Sequence, residues 1–501
     1  MPRAVKLARA RDVVNPNAPF SPPPPASYAA VPGGAGGSSG EAGTRSDEGA
    51  GTERGTGRRR GALEAGLGAA ALFVAILLAA RGAQPLRDWF FQFAWYPTLL
   101  LLDGGLALRT GSALLAGRPR FALSLWFWSG PTWYLFELLN LRMADWYYVF
   151  VPAALPPRWA GTFAAFATVL PAIYLAQRWM DEVGLARGWS RPRFRVRRRH
   201  YAVCLLLGAA FVLLAVRWPD AFFPLIWGAS TLLLEPFNHA RDPGSSLLGD
   251  LARGSWTRIV RLLAGGAGIG LLWEGYNRLA GARWIYTVPG LERLKLFEMP
   301  LLGFFGFPPF AVECFTVWQA LVIHGMAVPR WERVRPAARH ARVGAVLAAA
   351  VFSALVLHVM EARTIASVTP RLSRLPDVQA AELATAGYDV FSLAAARPAD
   401  VSRKVAVDGT TAAHWIETAQ LATLRGIGAR NTRLLRQVGI GCVASLAAAD
   451  DTTLAKRLQG ITDRRVVDAR IRVWIRAAQR EVRRQGATNT ASHGSSKCDA
   501  A

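Results

Sequence analysis

Between residues 61 and 360 the chain is a succession of long apolar runs separated by short polar joints. Nine such segments fall at about 62–81, 89–108, 121–141, 159–178, 201–217, 221–237, 257–280, 299–326 and 343–360. Each approaches the roughly 20 residues that a helix needs to cross a bilayer. The pattern predicts an all-α, polytopic membrane protein of about nine spans.

The first eight segments fall into two sets of four. Each set opens after an arginine triplet, Arg58–Arg60 or Arg197–Arg199. The second segments end alike, with Asp103 and Arg109 answering Glu235 and Arg241 at equal offsets. The third carry Glu137-x-x-Asn140 followed by Trp146-x-Tyr148, against Glu274-x-x-Asn277 followed by Trp284-x-Tyr286. The fourth share Pro171 and Pro309. Four spans per set is an even number, so the expected copies are parallel. They occupy residues 61–200 and 201–328, and the segment at 343–360 stands outside them as a final transmembrane helix.

The flanks differ in composition. Residues 1–60 are rich in Pro, Gly and Ser and poor in large apolar side chains, the signature of a disordered tail, and 486–501 read the same way. Residues 375–485 have the mixed composition of a small water-exposed helical domain. Within it Leu424-Arg425-Gly426-Ile427-Gly428-Ala429-Arg430 suits a tight interhelical turn, because glycine tolerates backbone angles that other residues resist. Val390–Ala396 matches Val443–Ala449, and Trp415–Gln420 matches Trp474–Gln479. The domain resembles the tandem helix-hairpin-helix modules of bacterial proteins of unknown function. In the wider class such a turn presents backbone N–H groups to a phosphate. Gly426, Gly428, Arg425, Arg430 and Arg433 would do so here. The first copy lacks the Gly-x-Gly turn, so nucleic acid is disfavoured and a protein partner is expected for this domain.

The formal charge of +25 is compatible with this picture. Arg118 and Arg120, Arg187–Arg199 and Arg330–Arg342 lie in loops after even-numbered segments, whereas the other loops carry fewer basic residues. The positive-inside rule places the N-terminus in the cytoplasm. It puts the Trp-x-Tyr loops and, after nine spans, the C-terminal domain outside a bacterial inner membrane. Cys204, Cys314, Cys442 and Cys498 have neither metal-ligand nor disulfide spacing. No structural disulfide, metal or cofactor is expected.

Carboxylates inside apolar segments carry the candidate chemistry. Glu137, Glu235, Glu274 and Glu313 are costly in a bilayer and favour a cavity or a partner. Asn140, Asn238 and Asn277 stand three residues after the first three of these, on the same helical face, where an amide could donate to the carboxylate. Glu137, Glu274 and Glu313 are the proposed acids or bases. Asn140, Glu235, Asn238, Asn277, Trp146, Tyr148, Trp284 and Tyr286 are the proposed ligand contacts, although aromatic residues at such positions also form interfacial belts.

The order of intramembrane acid, Trp-x-Tyr and a Pro-containing helix with an acid resembles the membrane-embedded carotenoid (lycopene) cyclase and hydratase families. Glu274, Trp284, Tyr286, Pro300 and Glu313 carry the resemblance. It implies polyene protonation by carboxylates in a repeated helical bundle. Pro300 is followed by Leu301-Leu302 and not by the paired acids of the cyclase pattern. The first expectation is therefore a membrane protein whose polar core binds a lipid-like ligand. An isoprenoid- or lipid-modifying enzyme, and a DNA-binding membrane anchor or a transporter, are the alternatives.

Overall fold

The computed structural model describes residues 44–152, 154–288, 294–330, 336–366, 372–424, 426–462 and 468–489. The tails expected to be disordered lie largely outside these residues, as do Arg425 and Cys498. Where they are described, they are helical. Helix α1 runs over Thr44–Ala80, well before residue 60, because a nucleated helix adds one hydrogen bond per residue as it extends.

In chain order α2 (Phe90–Thr110), α3 (Pro119–Met143), strand β1 (Trp146–Val149), α4 (Leu155–Phe166) and α5 (Val169–Glu182) follow. Next come α6 (Arg198–Arg217), α7 (Pro219–Phe222), α8 (Ile226–Arg241), α9 (Leu247–Ala252) and α10 (Thr257–Leu279). Strands β2 (Arg283–Tyr286), β3 (Lys295–Leu296) and β4 (Met299–Pro300) lead through a 3-10 turn into α11 (Phe307–Ile323). The last long apolar helix, α12 (Arg339–Arg363), ends in β5 (Ile365–Ala366).

Each of the nine apolar segments is largely helical, the eighth opening in β4 and a 3-10 turn. Among the described residues, five stretches are long and apolar enough to cross a membrane: Gly55–Ala80, Leu155–Glu182, Arg198–Arg217, Leu301–Ile323 and Arg339–Glu361. Helices α2, α3 and α10 are of similar length, at 21, 25 and 23 residues, but are not among these five. The fourth segment is two helices, α4 and α5, broken at Ala167–Thr168. Helix α8 is kinked near its start, where Trp227 is non-helical and Gly228 has φ 138°.

Helices α1, α6 and α12 turn large apolar side chains outward: Phe73 is 67% exposed, Leu206 70% and Leu355 62%. Contiguous apolar faces of this kind are rare on proteins surrounded by water. The core lies among α2, α3, α5, α10 and α11, around Phe90, Trp95, Phe136, Trp273 and Phe310. Gly265 and Gly266 let α10 lie close to α5 on one side and α11 on the other, since a Cβ there would press on Ala176 and on Ala311.

The all-α expectation misses the strands, among them the β3–β4 pair. Strands β2, β1 and β5 form a small sheet in that order. The pairing of β1 with β2 is antiparallel, with Trp146 opposite Tyr286, Tyr147 opposite Ile285 and Tyr148 opposite Trp284. Strand β5 pairs with β1 in parallel. Aromatic and β-branched residues fit a pleated ribbon well, but strands of four residues leave little periodicity to read.

The C-terminal region is helical: α13 (Ala380–Thr385), α14 (Val390–Ala394), α15 (Pro398–Val405), α16 (Gly409–Thr423), α17 (Gly428–Gln437), α18 (Val443–Ala448), α19 (Asp451–Ile461) and α20 (Asp468–Asn489). It holds two cores, one around Leu383, Leu393 and Trp415 and one around Leu435, Leu446 and Trp474. Cys204 and Cys314 are free. Cys442 is disulfide-bonded, against the expectation from cysteine spacing.

Candidate functional site: a carboxylate-backed aromatic cavity

In the Glu137 and Glu274 motifs the asparagine bonds the backbone of the strand that follows. Asn140 accepts the backbone N–H groups of Asp145 and Trp146 and donates to the Trp146 carbonyl. Asn277 accepts the Trp284 N–H and donates to the Trp284 carbonyl. Each asparagine thus pins the strand that follows its own helix, a local side chain–backbone bond of the kind that organises turns. The amide serves the ribbon, and the carboxylate has further donors.

Those donors are aromatic. Glu137 Oε1 accepts from Trp133 Nε1 at 2.9 Å, from Trp146 Nε1 at 2.9 Å and from the Tyr148 hydroxyl at 2.5 Å. Glu274 Oε1 accepts from the Tyr286 hydroxyl at 2.9 Å. Both glutamates are fully buried, and Oε2 of each has no hydrogen-bond partner. The indole N–H of Trp284 is also unpaired. Successive strand residues point to opposite faces, so Trp146, Tyr148, Trp284 and Tyr286 share one side of the ribbon, and Tyr147 and Ile285 share the other.

The Trp-x-Tyr side forms one wall of a cavity of about 170 Å3. Trp89, Phe91, Trp133, Phe166, Trp227, Trp273, Phe307 and Phe310 supply much of the remaining wall. Phe310 meets Trp133, Phe136 and Trp227 edge-on, at ring separations of 5.5, 5.2 and 5.7 Å, a favoured aromatic geometry. Asp88, Gln92, Asp145, Arg158, Thr162 and Arg283 are the polar side chains on the wall. Arg158 is paired with Glu361 at 2.9 Å. Neither Glu137 nor Glu274 reaches the wall, since the tyrosines and tryptophans stand between them and the space. The four ribbon aromatics are therefore cavity residues as well as carboxylate partners.

The remaining predicted acids sit elsewhere. Glu313 Oε1 accepts the Ser230 backbone N–H at 2.8 Å, at the point where α8 restarts after its kink. A carboxylate at a helix N-terminus satisfies orphan donors and complements the helix dipole, so Glu313 has a structural position away from the cavity. Glu235 accepts the Leu248 N–H at 2.8 Å. Asn238 donates to the Thr316 carbonyl at 3.1 Å and only distantly to Glu235, at 3.5 Å. Asp103 accepts the N–H groups of Leu114, Leu115 and Ala116. The structure thus gathers Glu137, Asn140, Trp146 and Tyr148 with Glu274, Asn277, Trp284 and Tyr286, and leaves Glu235, Asn238 and Glu313 apart.

Sequence reasoning passes over Trp133, Trp227 and Phe310. Trp133 carries a readable signal, because it stands one helical turn before Glu137. Trp227 and Phe310 come from other helices and carry none.

The Gly-x-Gly turn of the C-terminal region lies against the other face of the ribbon. Gly426 is buried with φ 82°, and a Cβ there would run into the Tyr147 ring and hydroxyl. Its carbonyl accepts from Trp474 Nε1 at 2.8 Å. Gly428 is buried, whereas Arg430 and Arg433 are exposed. Tyr147 occupies the approach that a phosphate would need at Gly426. No group of three metal-ligating side chains occurs among the described residues. No family model, curated protein or solved structure matches the chain.

Proposed function

We propose that this chain is a polytopic membrane protein that holds an apolar, lipid-like molecule in the aromatic cavity beneath the β1–β2 ribbon. The observation that carries this reading is the cavity wall: mostly aromatic and aliphatic, with two tyrosines whose hydroxyls are held by buried carboxylates. Such walls bury ligands by apolar contact, and a few placed polar groups orient them. Each tyrosine spends its O–H on a glutamate, so its oxygen can still accept a hydrogen bond from the ligand.

The topology in this reading is nine spans, as two parallel sets of four plus one. Strand β1 follows the third segment, β2 the seventh and β5 the ninth, and all three share one sheet. An even number of crossings separates any two of them, as the nine-span count requires. The loops bearing Arg187–Arg199 and Arg253 meet at the Ser190–Ser255 bridge, which suits a common basic, cytoplasmic side. The duplication draws support from equal offsets. Asp103 bonds to Ala116, and Glu235 to Leu248, each thirteen residues on. In the C-terminal region Asp389 with Ser392 and Cys442 with Ser445 form the same capping box, in line with a tandem helix-hairpin-helix. A disulfide at Cys442 suits an oxidising, extracytoplasmic compartment. The exposed Arg430 and Arg433 side of that domain is the surface offered to a protein partner.

A lipid-modifying enzyme is the second reading. It rests on the Glu137–Tyr148 and Glu274–Tyr286 bonds, through which a proton could pass between carboxylate and cavity; Glu313 takes no part in it. The test is mass spectrometry of lipid retained by protein purified in detergent, comparing the native chain with Gly306→Leu. That substitution turns a side chain toward Trp227. A specific lipid carried by the native chain and lost from a folded Gly306→Leu protein supports the binding reading. Retention of nothing beyond bulk lipid rejects it. A changed lipid product with folded Glu137→Gln and Glu274→Gln proteins would favour the enzyme.

A further inference from the structure

On the far side of the ribbon lies a second cavity, of about 150 Å3, at the join between the membrane helices and the C-terminal domain. Arg142 at the end of α3, Arg363 and Thr364 at the end of α12, and Arg470 and Trp474 on α20 line it. No carboxylate occurs among its described lining residues. The described lining is therefore positively charged.

Two of these side chains are unsatisfied in a way that points to a ligand. Arg470 stacks over the Tyr147 ring at 4.7 Å, and its buried Nε has no hydrogen-bond partner. Thr364 is 2% exposed, and its hydroxyl is likewise without a partner. A buried donor left unpaired is costly, and the cost vanishes when an acceptor enters. Guanidinium forks and a hydroxyl are the donor set that phosphate oxygens accept best. A planar guanidinium held flat on an aromatic ring is already oriented for such a contact.

We propose that this cavity binds a phosphate group, with Arg470 and Thr364 as its principal donors and Arg142 and Arg363 supplying positive charge at its mouth. The site is independent of the aromatic cavity but abuts it, because the Tyr148 N–H donates to the Thr364 carbonyl at 2.7 Å. The phosphate is carried either by a phospholipid headgroup at the membrane surface or by a free anion, and the chemistry is the same.

The experiment uses the full chain, delipidated in a phosphate-free glycoside detergent and titrated calorimetrically with inorganic phosphate. Saturable binding is expected. Arg470→Gln should weaken it about tenfold or more and Thr364→Val about threefold, consistent with the loss of one charge-assisted and one neutral hydrogen bond. Arg403→Gln, on the exposed face of α15 and outside the cavity lining, should leave it unchanged. The titration is repeated in nanodiscs of phosphatidylglycerol and of a neutral glycolipid. Phosphate binding lost only in phosphatidylglycerol assigns the site to a lipid headgroup, and equal binding in both assigns it to the free anion. Absence of saturable phosphate binding in detergent overturns the proposal, as does undiminished affinity in Thr364→Val. That variant decides the matter should Arg470→Gln fail to fold.

Discussion

Tyr148 donates its hydroxyl to Glu137 from a strand that Asn140, three residues after Glu137 on the same helix, holds in place. The second motif repeats this relationship with Tyr286, Glu274 and Asn277. Helix, asparagine and strand form a closed unit: the amide fixes the strand, and the strand delivers the aromatic donor back to the carboxylate.

The first prediction follows from the three donors on Glu137. Glu137→Ala would strand the Trp133 and Trp146 indole N–H groups and the Tyr148 hydroxyl in a buried site. At roughly 1–3 kcal/mol for each unpaired group, a loss of about 3 kcal/mol or more is expected. Glu137→Gln keeps an acceptor oxygen and should cost markedly less. Thermal unfolding in detergent separates the two, and equal midpoints for both variants would contradict the hydrogen-bond assignment.

The ribbon gives a second prediction. Tyr147 and Ile285 are register partners, and directly opposed residues of an antiparallel pair bring their Cβ atoms to about 4.5–5.5 Å. Cysteines introduced at both positions in a chain lacking Cys204 and Cys314 should therefore crosslink under mild oxidation. Asn140→Ala, which frees the Trp146 backbone, should lower the yield severalfold. Efficient crosslinking in that variant would show that the asparagine does not hold the strand.

The helices, and the recurrence of Glu-x-x-Asn ahead of Trp-x-Tyr, are legible in the sequence because they depend on short-range spacing; the bond from tyrosine to glutamate is not. Glu137 and Tyr148 are eleven residues apart, so the bond between them closes within one helix–strand unit. The asparagines show the limit of such spacing: i, i+3 places Asn140 and Glu137 on one face without showing that the amide also holds the Trp146 backbone. Glu313 fails for a different reason. Its partner, the Ser230 N–H, is available only because α8 breaks at Trp227–Gly228, a break invisible in an apolar run. The cavity draws on α2, α3, α4, α8, α10 and α11, so its aromatic wall is a tertiary fact that no single window of sequence contains.

Gly426 makes a third prediction. Its positive φ and its contact with Tyr147 both forbid a branched side chain, so Gly426→Val should loosen the C-terminal domain from the ribbon. Limited proteolysis should then release the C-terminal helices several times faster than in the native chain, with the remaining helices still folded. Unchanged cleavage would mean that the turn does not depend on this contact.

A fourth prediction concerns Asp389, outside the membrane helices. The Ser392 backbone N–H, foremost, and the Ser392 hydroxyl hold its carboxyl below the ordinary aspartate value. A folded value below the unfolded one contributes stability that is present above the unfolded pKa and lost as pH falls through the folded one. Asp389→Ala should cost the C-terminal domain about 1 kcal/mol near neutral pH, the usual worth of an N-cap. The difference from native should shrink progressively below about pH 4. A deficit that stays constant down to acid pH would assign the loss to packing, not to the charge.

The sheet β2-β1-β5 makes the fifth prediction, on topology. Three strands that hydrogen-bond to one another lie on one side of a membrane, because exposed backbone groups cannot be carried across hydrocarbon unpaired. In the proposed topology strand β5, the Trp-x-Tyr strands and the C-terminal helices packed on Tyr147 share a compartment, and with the basic loops inside that compartment is the outside. A periplasm-active reporter fused after α20 should be active and a cytoplasm-active one silent, and a reporter truncated into the 187–199 loop should give the reverse. A cytoplasmic signal at both positions would remove the odd span count and return the C-terminal arginines to the side where nucleic acid is found.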